Sequence, residues 1–371
     1  MGKVNPFLKT MIKPRRKSKV IRIGSLCIGG NNPIAIQSMV KAKTSDTEAT
    51  LKQIRDLEDA GCEIIRLAVK DLKDAQAIKK IKRGTKLPLV ADIHFDWRLA
   101  IAAIENGIDK IRLNPGNIDD RKQIKEIVRQ AKLSHIPIRI GINSGSLKRG
   151  KSQEPRTKVV AQAMINAALD YIKILEGLKF SDIVISLKAA NIFDTIEAYQ
   201  RMAELCDYPF HLGLTATGIP LSGAVKSSMA LGILLSQGLG DTIRVSLTDK
   251  PTEEVRVAKY ILEALNLRRF APQIISCPTC GRCEINLVEM VKELEKKLSA
   301  ISYGLSAPFP KVAIMGCVVN GPGEAKEADL GIAFGKREGL LFRSGKPVRK
   351  ILAKNCVDAL LQEISKCVRK T

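Results

Sequence analysis

Eight short runs of β character recur between Ile34 and Thr248, and helical patterns separate most of them. They are IAIQSM from Ile34, EIIRLAV from Glu63, PLVADIHF from Pro88, KIRLNPGN from Lys110, PIRIGIN from Pro137, DIVISLK from Asp182, FHLGLTATG from Phe210 and DTIRVSLT from Asp241. Stretches such as DTEATLKQIRDLEDAG and DDRKQIKEIVRQAKL carry apolar residues at helical spacing. The first of these opens at Asp46, a good N-cap, and closes at Gly61 in the C′ position. Strands that alternate with helices are parallel, because a parallel pair needs a long crossover between its members. Eight such units predict an α/β fold of the TIM type, a (β/α)8 barrel, with an open doubly wound sheet as the competitor.

From about residue 270 the pattern changes. CPTCGRC leads into a helix that places Leu287, Met290, Val291, Leu294 and Leu298 on one face. Beyond a Pro-rich break come a strand KVAIMGCVV, a glycine-rich loop NGPGE, a strand LGIAFG, a hairpin LLFRSGKPVRK and a closing helix. This predicts a small α+β domain, with residues 1–268 forming the barrel and 269–371 the second domain.

In a (β/α)8 barrel the chemistry sits at the C-terminal ends of the strands. Read in order, those ends carry Arg66, then Asp92 and His94, Arg112 and Asn114, Arg139 and Asn143, Lys188 and Asn191, and finally Arg244 and Ser246. Pairs such as Arg112 and Asn114 are evenly spaced, so both side chains leave one face of the strand. Five strands therefore aim a cation at the barrel mouth, and burying five like charges is prohibitive without an anion to neutralise them. Arginine's planar fork suits phosphate oxygens, and a diphosphate-sized anion is the expected occupant. Only Asp92 supplies a carboxylate at these positions, which weakens the alternative of local ion pairs.

The cysteines make a second centre. Cys277, Cys280 and Cys283 follow one another at two-residue spacing, Cys317 ends an apolar strand, and Glu324 lies just past Gly321-Pro322-Gly323. A structural zinc site would ask for a second Cys pair or a His pair, and the three histidines at 94, 135 and 211 offer none. An iron–sulfur cluster on Cys277, Cys280, Cys317 and a fourth ligand fits better. By spacing alone the fourth ligand is Cys283 or Glu324. Cys27, Cys62, Cys206, Cys356 and Cys367 read as small apolar residues.

Composition removes some classes of function. The chain has 371 residues and a net charge of +23, yet only 4% are aromatic and its lysines are scattered through every segment. A nucleic-acid binder concentrates its basic residues and interleaves aromatics, so no nucleic-acid partner is expected. No apolar run approaches the ~20 residues needed to span a bilayer, so no membrane partner is expected either. The basic N-terminus lacks the apolar stretch of a signal peptide, and the expected location is cytoplasmic, with reduced cysteines.

Seven segments, SCPTCGR, GCVVNGPGEA, VADIHFDWR, RLNPGNI, IPIRIGINSGSL, GAVKSS and GDTIRVSL, resemble those of the bacterial 4-hydroxy-3-methylbut-2-enyl diphosphate synthase family. The resemblance runs from about Arg15 into the last helix. It implies a barrel followed by a 4Fe-4S domain similar to those of sulfite and nitrite reductases. It also implies reductive opening of a cyclic diphosphate substrate with loss of water, reduced flavodoxin or ferredoxin as electron donor, and a homodimer in which one subunit's cluster domain closes over the other's barrel. The matching motifs imply Cys277, Cys280, Cys317 and Glu324 as cluster ligands and leave Cys283 a bystander. They imply Arg66, Arg112, Arg139 and Lys188 as the diphosphate clamp, with Asn114, Asn143, Arg244 and Ser246 in support. The chain departs from the family at TATG, Thr215 to Gly218, where TEAG is usual. Ala216 replaces the acid, leaving Glu324 and His94 as the candidate catalytic groups.

Overall fold

The structure, a computed structural model, describes residues 12–147, 156–215, 217–299 and 309–368. The chain divides into two compact units, one up to Arg268 and one from Arg269 onward. The first begins with a hairpin of β1 (Ile21–Ile23) and β2 (Leu26–Ile28). Then follow β3 (Ala35–Met39), α1 (Thr47–Asp59), β4 (Ile64–Ala68), α2 (Leu72–Arg83), β5 (Leu89–Asp92) and α3 (Trp97–Glu105). Next come β6 (Lys110–Leu113), α4 (Arg121–Leu133), β7 (Ile138–Asn143), α5 (Arg156–Gly177), β8 (Ile183–Lys188) and α6 (Ile192–Leu205). The unit ends with β9 (His211–Leu212), α7 (Pro220–Ser236), β10 (Thr242–Ile243) and α8 (Pro251–Ala264).

The eight strands β3 to β10 form one parallel sheet in the order β8-β7-β6-β5-β4-β3-β10-β9. A parallel bridge from Ile185 to Phe210, with the Ile185 N–H donating to the Pro209 carbonyl, joins the two ends. The sheet is therefore a closed barrel, and the open-sheet alternative falls. Helix starts follow the local chemistry: Asp46, Asp71, Asp96 and Asp120 each accept a hydrogen bond from a first-turn N–H. Gly61 follows α1 at φ +88°, the left-handed geometry that a C′ glycine supplies. Asn191, a strand-end candidate, is instead the cap of α6, its side chain accepting from Phe193 and Asp194.

The interior is layered. Ile21, Ile23 and Ile28 of the hairpin pack against Ala35, Ile64, Val90 and Val184 at the N-terminal ends of the strands and seal the barrel floor. Period-two alternation then brings polar groups onto the same inner faces above this floor, Ser186 and Lys188 above Val184 being one case. Apolar neighbours such as Ile183, Ile185 and Leu187 take the helix-covered side.

The second unit has a five-stranded mixed sheet in the order β11 (Gln273–Ser276), β12 (Lys311–Met315), β13 (Leu330–Phe334), β14 (Glu338–Arg343) and β15 (Lys346–Leu352). Helices α9 (Leu287–Ser299) and α11 (Cys356–Val368) share one core with it: Leu287, Leu294 and Leu298 meet Ile314, Ile332, Cys356 and Leu360. One expectation is revised here. The NGPGE segment is not a loop but the start of a short helix, α10 (Gly321–Glu327), with Pro322 in its first turn. Proline's fixed φ suits that position, where its missing N–H has no helical partner to lose.

Candidate active site

The strand-end residues converge as the even spacing requires. A cavity of about 230 Å³ at the barrel mouth is walled by Arg66, Asp92, His94, Arg112, Arg139, Asn143, Lys188, Arg244 and Ser246. Gly141, Ser186, Leu214 and Thr215 complete the wall. Asn114 does not join it. Its buried side-chain oxygen accepts from the Gly116 N–H at 3.2 Å and the Ser146 hydroxyl at 3.3 Å, so it ties two strand-to-helix loops together.

Asp92 is the anionic centre of this wall. Its carboxylate lies 3.3 Å from Nη1 of Arg112, 3.9 Å from Nε of Arg66 and 3.2 Å from Nε2 of His94. Burial opposes its ionisation, but Arg66, His94, Arg112 and Arg139 outweigh that and hold the carboxyl well below the usual range. Nε2 of His94 also lies 3.1 Å from Nη1 of Arg112. One nitrogen cannot donate to Asp92 and accept from Arg112 at once, so the tautomer decides which of the two Nε2 serves. Arg112 donates to the Gly141 carbonyl at 2.7 Å. A Cβ at Gly141 would stand 2.3 Å from Nε of Arg112, so only glycine leaves room for that guanidinium.

The remaining cations are poorly compensated. Arg139 is buried, and its Nε and Nη1 have no hydrogen-bond partner among the described residues. Burial, then the guanidiniums of Arg66 and Arg112, push its pKa well down. Lys188 is buried too, with Nζ 3.3 Å from Nε2 of His211, whose Nδ1 lies 2.8 Å from the Thr242 hydroxyl. Burial and four nearby arginines, Arg139 first, press the Lys188 ammonium toward its neutral form. Arg244 is an exception, through a partner that strand-end reading missed. Glu254, reaching in from α8, accepts from its Nη2 at 3.0 Å and its Nε at 3.2 Å. Asp92 is therefore not the sole carboxylate serving these cations. Ser186 and Gly141 also escaped the reading, although each sits two residues before a named wall residue on the same strand face.

In the second unit, β11 and β12 are adjacent and parallel, with Ser276 level with Ile314. Cys277 thus leaves the end of one strand beside Gly316, whose N–H donates to its Sγ at 3.4 Å, and Cys317 follows directly. N–H groups of Val319 and Asn320 hold the Cys317 thiol below its ordinary pKa. Thr279 takes φ +64°, a left-handed geometry rare for a β-branched residue, in the turn that leads to the exposed Cys280. Glu324 lies in the first turn of α10. Cys283, like Cys277, packs against the core, and its thiol donates to the Ile285 carbonyl at 3.3 Å. No three His, Cys, Asp or Glu side chains among the described residues are gathered tightly enough to hold a metal ion. The donor set nonetheless fits a thiolate-bound cluster: Cys277 and Cys317 leave adjacent parallel strands, and the Gly316 N–H already points at the Cys277 sulfur. Ala216 lies outside the described residues.

A closed barrel with a cation-lined mouth, joined to a small domain of thiols at parallel strand ends, defines a two-domain barrel enzyme for an anionic substrate. Family models agree. That of the GcpE TIM-barrel domain matches residues 18–259, and that of the GcpE protein C-terminal domain matches 273–366. The chain belongs to the GcpE family. Among its relatives, the 4-hydroxy-3-methylbut-2-en-1-yl diphosphate synthase (flavodoxin) of Dehalococcoides mccartyi is 51% identical over 95% of this chain and 99% of its own. Enzymes of the same name from Caldanaerobacter subterraneus and Geobacter sulfurreducens are 51% and 49% identical, over 97% and 95% of this chain and 100% and 98% of theirs.

Proposed function

We propose that this chain is an oxidoreductase of isoprenoid precursor biosynthesis, converting 2-C-methyl-D-erythritol 2,4-cyclodiphosphate to 4-hydroxy-3-methylbut-2-enyl diphosphate. The reaction is a two-electron reductive ring opening with loss of water. The observation that carries this reading is the convergence of Arg66, Arg112, Arg139, Lys188 and Arg244 on one cavity, in a chain about half identical to synthases of that name along nearly its whole length. The barrel unit binds the substrate and the unit from Arg269 holds the redox group.

Family membership brings an iron–sulfur group with it, and a 4Fe-4S cluster on Cys277, Cys280, Cys317 and Glu324 would supply electrons singly. The chain's own residues do the rest. Arg66, Arg112, Arg139 and Lys188 neutralise the diphosphate, with Arg244, Asn143 and Ser246 orienting it. Asn114 supports the clamp from behind, through the loops it ties. His94, on the cavity wall with Nε2 between Asp92 and Arg112, is one candidate proton donor. Glu324 is the second candidate proton donor, with Ala216 standing where the family usually has an acid.

Flavodoxin, printed in the names of the relatives, is the proposed donor, with ferredoxin as the alternative. Its recognition is favoured by the basic surface of a chain of net charge +23. A homodimer is supported by an apolar stripe on α7, where Leu221, Val225, Met229 and Ile233 recur every four residues and are 37–78% exposed. Exposed Phe95 beside His94, and exposed Val318 and Val319 beside Cys317, suit closure of one subunit's cluster domain over its partner's barrel. No described helix is long and apolar enough to cross a membrane, and a cytoplasmic site of action is part of the proposal.

The test is metal analysis and turnover on protein purified without oxygen. About four irons and four sulfides per chain, with reduction of the cyclic diphosphate by reduced flavodoxin, are expected. One zinc per chain with no sulfide would overturn the reading.

A further inference from the structure

Lys110 has no place in the site described so far. It lies two residues before Arg112 on the inner face of β6, roughly 7 Å nearer the barrel floor. It is wholly buried, and its Nζ has no hydrogen-bond partner among the described residues. The groups around it do not compensate an ammonium. Arg66 comes from β4, Arg139 from β7 and His211 from β9, with Lys188 of β8 against His211 and Glu254 of α8 committed to Arg244 just past β10. Asp92 on β5 is engaged by Arg66, His94 and Arg112. Gln37 on β3 is neutral, and its own amide is likewise unpartnered. The hairpin below contributes only isoleucine and leucine.

We propose that Lys110 is uncharged in the free protein and takes a proton from solvent when a diphosphate enters the barrel mouth. This rests on reading the mouth as a diphosphate site. A fully buried ammonium with neither a carboxylate nor a hydrogen-bond acceptor is among the most expensive states a side chain can take, and it is relieved by losing the proton. Burial, then Arg139 and Arg66, push Lys110 in that direction. An anion above reverses the balance. Unit charges about 10 Å apart at an effective dielectric near 20 change a protonation equilibrium on the order of tenfold, and a diphosphate brings two or three. The amine Nζ then becomes an ammonium, the proton coming from water and the compensating charge from the ligand. Lys110 thus serves as a charge reserve beneath the clamp, a positioning residue that does not touch the substrate. The cavity can stay folded when empty yet match its cation count to a polyanion when filled.

The experiment is calorimetric titration of the anaerobically purified holoprotein with inorganic pyrophosphate, at one pH above neutrality, in buffers of different ionisation enthalpy. Wild type is expected to take up protons beyond what pyrophosphate's own titration supplies, and Lys110→Met to take up about one fewer than wild type while still binding. Affinity should also rise more steeply in wild type than in the variant as pH falls through this range. Equal uptake in the two proteins would overturn the proposal. Should the variant fail to fold, wild type alone decides: no excess over the pyrophosphate contribution refutes the inference. No binding of pyrophosphate at all would instead bring down the reading of the mouth itself, and the inference with it.

Discussion

Replacing Asp92 by Asn tests whether charge, rather than packing, organises the barrel mouth. The change is nearly isosteric, so what it removes is the negative charge that Arg112 meets at 3.3 Å, His94 at 3.2 Å and Arg66 at 3.9 Å. Breaking a buried ion pair by removing one partner destabilises by about 3–5 kcal/mol. The amide oxygen keeps some hydrogen bonding to Arg112, which points to the lower end, ~3 kcal/mol. For a unit of this size 1 kcal/mol moves the melting temperature by about 2–4 °C, so a fall of roughly 6–12 °C is expected in the anion-free protein. Pyrophosphate gives the discriminating arm. The variant's cavity carries one more uncompensated positive charge, so the anion should bind it at least as tightly and raise its melting temperature more than that of wild type. Saturation to about a hundred times Kd adds ~2.7 kcal/mol, enough to restore most of the loss. Thermal unfolding at neutral pH and low salt, with and without pyrophosphate, reads both effects. A loss under ~1 kcal/mol, or a smaller pyrophosphate shift in the variant than in wild type, would refute the argument.

Three further outcomes follow from the same geometry. Because its folded pKa is depressed, Asp92 contributes stability that is present above the ordinary carboxylate pKa of about 4 and is lost as pH falls below it. Wild type should therefore lose stability more steeply than Asp92→Asn in acid titrations of unfolding below that point. Glu254→Gln removes the buried charge paired with Arg244 and should cost about 3 kcal/mol in the anion-free protein, part of it restored by pyrophosphate, read by thermal unfolding. Cys283→Ser should keep full iron and sulfide at a stability loss of about 1 kcal/mol, whereas Cys280→Ser should lose cluster; equal iron loss in the two would return Cys283 to the ligand set.

Residues that act through strand periodicity were legible in the sequence, and those that act across elements were not. A strand repeats every two residues, so RIGIN and DIH fix which side chains face inward, and Arg139, Asn143, Asp92 and His94 all reach the cavity. Asn114 has the same phase as Arg112, but its side-chain oxygen is taken up by the Gly116 N–H and the Ser146 hydroxyl of the adjoining loops, a tie that phase does not reveal. Glu254 could not be found at the strand ends, because a helix side chain meets a strand only once both are packed. The floor was equally hidden: nothing in IRIGSLCIGG says that its isoleucines close a barrel whose strands extend as far along the chain as Ile243. That floor explains the buried charge above it. With the bottom sealed by apolar side chains, the inner faces of β6, β7 and β8 have no route to solvent except the mouth. Cations placed there are held away from water by the fold itself, and they answer most strongly to whatever anion enters from the one open end.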